Sequence, residues 1–119
     1  MPNYGSGALG VATQLFPGDL YYLFNGESPT APQASIAIAT AFAPNGDAGF
    51  LFQIFFAAAP TSALVIQASN IDQDALYQTV YTSTNKQQDA YTDTDRWQFY
   101  RAKLISQSAG GVVTVVVKR

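Results

Sequence analysis

Every apolar segment after Leu20 alternates with a period of two, and turn residues separate one segment from the next. Successive side chains of a strand point to opposite faces, so this pattern specifies strands and leaves no room for a helical stripe. Leu20-Tyr-Tyr-Leu-Phe24 reads as a short strand closed by Asn25-Gly26. Ala34 to Phe42 is rich in alanine, yet its large residues Ile36, Ile38 and Phe42 all fall on even positions, which predicts a strand with small residues on its other face. Asn45-Gly46 in the turn Pro44–Asp47 is a hairpin signal, so Phe50 to Phe56 is expected to return antiparallel. Leu64 to Ala68 and Leu76 to Tyr81 follow as strands around the turn Asn70–Asp74. Thr82 to Thr94 is polar and reads as an exposed loop. Trp97 to Ile105 is a long strand whose apolar parity changes, and a bulge near Phe99–Tyr100 would reconcile the two halves. Val112 to Val117 closes the chain after the turn Ser106–Gly111.

About seven or eight short strands at this spacing make a β-sandwich. The fold expected is therefore all-β: a single sandwich, jelly-roll or discoidin-like, of antiparallel strands over residues 14–119. Residues 1–13, with Gly5, Gly7 and Gly10, are expected to be a flexible N-terminal arm. One domain of this length buries enough surface to hold a core without staples.

Composition narrows the chemistry. The 119 residues include no His and no Cys, and Glu27 is the single glutamate. Serine would lack a histidine partner and carboxylates would act unassisted, so an enzyme is not expected. Zinc and iron lose their usual ligands. Asp72/Asp74 and Asp93/Asp95 form two Asp-x-Asp pairs that could offer oxygens to Ca²⁺, but aspartates are also ordinary turn formers. No EF-hand glycine or closing glutamate accompanies them, so no metal or cofactor is expected. The six Lys and Arg are spread out, which argues against nucleic acid as a partner. No signal peptide is evident, and the longest apolar run, Gly49 to Pro60, is too short to span a bilayer.

Charged residues make up only 12% while hydrophobic residues make up 48%. So few charges keep monomers apart poorly, which points to a subunit covered by neighbours. The strand Phe50–Phe56 adds to this: Phe50, Phe52, Ile54 and Phe56 fill one face, and Leu51 and Phe55 flank Gln53 on the other. A sandwich strand needs one apolar face, so Leu51 and Phe55 are candidate interface residues. Arg101 is a candidate surface or subunit contact, and Asn3 and Tyr4 are candidates in the arm. Trp97 reads mainly as a core anchor. The alternative is that Trp97 with Arg96, and Tyr100 with Arg101, stack on a sugar or a base.

Four pieces of the second half, Ile66-Gln-Ala-Ser-Asn70, Tyr77-Gln-Thr-Val80, Trp97-Gln-Phe-Tyr-Arg101 and Val112 to Val117, resemble the C-terminal part of discoidin-like or galactose-binding-like sandwiches. In a short neutral chain the same arrangement resembles small tailed-phage virion proteins. The resemblance implies a non-enzymatic capsid decoration (cement) protein of the virion, assembled in the host cytoplasm. Its partners would be the major capsid protein and copies of itself, a trimer being one arrangement, with neither nucleic acid nor membrane. The alternatives are a carbohydrate-binding module and a tail tube or tip module.

Overall fold

The computed structural model describes residues 12–28, 31–39, 49–57, 63–95, 97–106 and 112–119. The arm residues 1–11, with Asn3 and Tyr4, and the Asn45–Gly46 turn lie outside them. The chain is all-β and forms two packed sheets. The strands are β1 Thr13–Gln14, β2 Leu20–Glu27, β3 Gln33–Ala34, β4 Ile38–Ala39, β5 Phe50–Phe56, β6 Ala63–Ser69, β7 Gln78–Thr84, β8 Gln88–Asp93, β9 Phe99–Ser106 and β10 Val113–Lys118. Sheet B has the order β2-β10-β5-β8. Sheet A has the order β1-β4-β9-β6-β7, with β3 also on β9.

β3 and β4 pair with successive stretches of β9, at Leu104/Lys103 and Tyr100/Phe99, so they act as one interrupted strand. With that pair counted once, the chain steps between the sheets at nearly every connection, and the two orders are those of a jelly roll. Thr13, expected in the arm, pairs in parallel with Ile38 and belongs to the sandwich.

The core lies between the sheets. Phe50, Phe52, Ile54 and Phe56 of β5 and Val113, Val115 and Val117 of β10 are buried on one side. Leu64, Ile66 and Ala68 of β6 and Tyr100, Ala102 and Leu104 of β9 are buried on the other. Phe50 and Phe52 of sheet B pack on the Tyr100 ring of sheet A, whose neighbours Ala68 and Ala102 are small, and such alternation of large and small is how close-packed layers interdigitate.

Several sequence expectations are corrected. β2 does not stop at Asn25-Gly26 but runs to Glu27, because its register with β10 shifts twice and Gly26 takes φ 61°. The Gly26 N–H donates to Thr114 Oγ1 at 3.1 Å instead of continuing the ladder. The strand expected over Ala34–Phe42 is broken at residues 35–37. There Ser35 replaces a ladder partner: its N–H donates to the Ala102 carbonyl at 2.8 Å, and its Oγ accepts from the Ala102 N–H at 3.0 Å. Ile36 is turned out while Ala37 and Ile38 are both buried, so the period-two parity fails.

β5 does not return against β4. It pairs with β10 and β8 in the other sheet, since a turn signal sets a local reversal and not the partner. Thr82–Thr94 is not a loop: β7 continues to Thr84 and β8 occupies Gln88–Asp93. Leu76, expected in a strand, ends a 3-10 turn at Asp74–Leu76. Phe99–Tyr100 carries no bulge, because Trp97 precedes the strand. The extra residue of β9 is Ile105, where the register shifts against Ala63/Leu64.

Candidate functional site

The outer face of sheet B is the most distinctive surface. β5 turns Leu51, Gln53 and Phe55 outward. Pairing register sets their neighbours. Lys118 lies beside Leu51 and Leu20, Val116 beside Gln53 and Tyr22, and Thr114 beside Phe55. On the other side of β5, Thr92, Ala90 and Gln88 of β8 face the same three residues. Three rows result. The first, Leu20, Lys118, Leu51 and Thr92, is leucine on both sides of a lysine. The second and third contain short side chains (Ala90, Thr114, Val116) between long ones (Tyr22, Gln53, Phe55, Gln88). That difference in reach shapes a hollow of about 570 Å³. Leu20, Tyr22, Leu51 and Phe55 are exposed by 55%, 47%, 44% and 40% respectively, so none of the described residues covers this face.

A second cluster closes the sandwich where edge strands β7 and β8 meet. Asp89, Tyr91 and Asp93 of β8 face the interior, although two of them are carboxylates. The Tyr81 hydroxyl donates to Asp89 Oδ2 at 2.5 Å, and the Tyr81 and Tyr91 rings stack at 4.7 Å. Asp93, 2% exposed, accepts from the hydroxyls of Tyr91 and Tyr100, each at 2.7 Å, and from the Asp95 N–H at 2.8 Å. Three donors are what a buried carboxylate needs to replace its water. The Tyr100 ring in turn packs on Phe50 and Phe52. The bond to the Asp89 carboxylate, followed by burial, pushes the Tyr81 phenol up to about 12. Burial first, then the bond to Asp93, raises Tyr91 and Tyr100 as well. Burial also acts to raise Asp89, but the hydrogen bonds from the Tyr81 hydroxyl and the Ala90 N–H, with the Ser83 hydroxyl and Lys86 nearby, outweigh it and hold the carboxyl low. These phenols keep their protons at neutral pH, and the cluster acts as a clasp between the two sheets.

The sequence candidates fall in different places. Leu51 and Phe55 both face outward, but Leu51 belongs to the leucine row and Phe55 lines the hollow. Arg101, expected at the surface, is 1% exposed. Its guanidinium lies 4.0 Å from the Tyr77 ring centroid and bonds Gln67 Oε1 at 2.8 Å and Asp74 Oδ1 at 2.9 Å, which is how its charge is kept inside. Tyr100 is fully buried, so neither it nor Arg101 is available to stack on a ligand. Trp97 packs partly buried against the core. Arg96 lies outside the described residues. Asp72 and Asp74 do not converge: Asp72 accepts from the Tyr77 hydroxyl at 2.6 Å and Asp74 holds Arg101. Among the described residues no group of three acidic side chains gathers as a metal site, and no helix is long and apolar enough to cross a membrane.

Sequence reasoning did not bring out Tyr22, Gln53 and Gln88 as a group. Tyr22 shares parity with Leu20 and could have been placed on the outer face, whereas Gln88 required recognition of β8. No protein-family model, curated protein or solved structure matches this chain.

Proposed function

We propose that the chain is a non-enzymatic structural subunit of a tailed-phage virion, a capsid decoration protein that binds its neighbours through the leucine row of sheet B. The observation that carries the reading is the exposure of Leu20 and Leu51 on either side of Lys118. Two large apolar side chains exposed in one row, with one lysine between them, are uncommon on a free monomer with so little charge elsewhere. Covering them contributes about 25 cal/mol per Å² of apolar area before the costs of association. That is modest for one copy, but a lattice of copies multiplies it. The jelly-roll order is compatible with this role, since viral capsid domains share it with lectins. The partners are the major capsid protein and further copies of the chain.

The test is light-scattering mass and co-sedimentation with phage heads lacking the protein, for the native chain and a Leu20→Ser/Leu51→Ser variant. The native chain should associate, and the variant should stay folded and lose association. A native chain that remains a monomer and does not sediment with heads refutes the proposal.

A further inference from the structure

We propose that the hollow on the outer face of sheet B, between Tyr22 and Phe55, binds a neutral oligosaccharide. It shares its face with the contact row argued above but not that row's residues, so the two readings stand or fall separately. Its volume, about 570 Å³, lies within the range of about 300–1,000 Å³ usual for ligand sites. It lies open along the sheet, which suits a ligand laid across strands.

Tyr22 on β2 and Phe55 on β5 are two strands and one row apart, with β10 between them. Strand spacing and rise place their Cα atoms roughly 12 Å apart. The two exposed rings are therefore too far apart to stack on each other. They can instead receive the C–H faces of separate sugar rings along one extended chain.

The polar groups around them are neutral. The Gln53 and Gln88 amides each offer donors and an acceptor, and the Thr114 hydroxyl lies across Phe55 from Gln88 with its proton still available to donate. The nearest carboxylate, Asp89, is already engaged by the Tyr81 hydroxyl and the Ala90 N–H. Lys86 pairs with Asp89 at 3.8 Å, and Lys118 stands in the leucine row outside the hollow. Among the described residues, a phosphate or sulfate would therefore find no unpaired cation lining the hollow. A purely apolar ligand would leave the two amides unpaired. A polyhydroxylated ring with one apolar face satisfies both kinds of lining.

The experiment is a ¹H–¹⁵N NMR titration of the full chain with cellohexaose, xylohexaose, mannohexaose and maltohexaose at millimolar concentration, with a heparin hexasaccharide as the acidic comparison. At least one neutral sugar should shift the Gln53 and Gln88 side-chain amides, and heparin should not. Tyr22→Ala and Gln53→Ala, checked for unchanged circular dichroism and melting, should each weaken binding about tenfold or more, the scale of one lost ring stack or paired amide. Leu20→Ser/Leu51→Ser should leave sugar binding unchanged even where it abolishes assembly. Four results would each overturn the proposal: no response to any neutral sugar, binding of heparin alone, binding unaltered by Tyr22→Ala and Gln53→Ala, or sugar shifts confined to residues outside the hollow.

Discussion

Replacing Asp93 by Asn tests whether the part of the clasp that joins β8 to Tyr100 of β9 holds the sandwich shut. The change keeps the shape and removes the charge. Asp93 Oδ1 accepts from Tyr100 and from the Asp95 N–H, while Oδ2 accepts from Tyr91. With the amide oxygen kept on the Oδ1 side, two charge-assisted bonds become neutral ones. The new NH₂ meets the Tyr91 hydroxyl, which must turn its proton away. Bonds to a charged group are worth about 1.5–3 kcal/mol and neutral ones about 0.5–1.5, so the variant should lose about 2–4 kcal/mol. For a domain of this size that is a fall of roughly 8–16 °C in melting temperature. Urea unfolding should show a lower midpoint with an unchanged slope. Asp95→Asn is the control, because the Asp95 bond to Asp93 comes from its backbone N–H, and it should stay within about 0.5 kcal/mol of the native chain. An Asp93→Asn protein equally close to the native chain would refute the clasp, whatever its sugar binding or assembly.

Gly49→Ala should cost several kcal/mol, since an added Cβ would lie within van der Waals overlap of the Asp93 carbonyl oxygen and φ is +95° there; a melting point near the native value would show that the loop simply shifts. Asp89 has its folded pKa held low, so its contribution is full above the unfolded value of about 3.9 and fades as pH falls below that. The stability gap between the native chain and Asp89→Asn, measured by urea, should therefore be flat from about pH 7 to 5 and shrink below about pH 4, whereas an unchanged gap at low pH contradicts the assignment. Tyr81 has its folded pKa raised, so its contribution is full below about pH 10 and is lost as pH rises towards about 12. Phenolate absorbance should show a late-titrating phenol near pH 12 that Tyr81→Phe removes; a native curve that matches the variant's would count against the bond to Asp89.

β5, β6 and β10 were legible because each alternates large apolar residues on the face it buries, as with Phe50, Phe52, Ile54 and Phe56. β8 was not, because its interior positions are Asp89, Tyr91 and Asp93, and a polar residue facing inward erases the hydrophobic alternation. Its acceptability depends on Tyr81 and Tyr100, which arrive from other strands. Arg101 was misplaced for the same reason: the groups that make its burial tolerable, Tyr77, Gln67 and Asp74, stand far away in the chain. Leu51 and Phe55 were placed on the correct face. Their separation into a contact row and a hollow depends on Leu20 and Tyr22 of β2, two strands away, and only the register across β10 reveals it.

β2 and β8 are the two edges of sheet B, and neither is a good template for another strand. The two register shifts of β2 break the even spacing of free N–H and C=O groups that an incoming chain would need to match. β8 carries carboxylates towards the interior, so a sheet extended beyond it would have to enclose charge with no clasp of its own. A chain this poor in charge would otherwise be at risk of fibrous growth through shared hydrogen-bond ladders. With both margins of sheet B spoiled, this sheet offers a neighbour its finished outer surface and not its edges. Contacts of that kind come apart on dilution without unfolding their members, so an array of the kind proposed above would be able to dissociate and re-form.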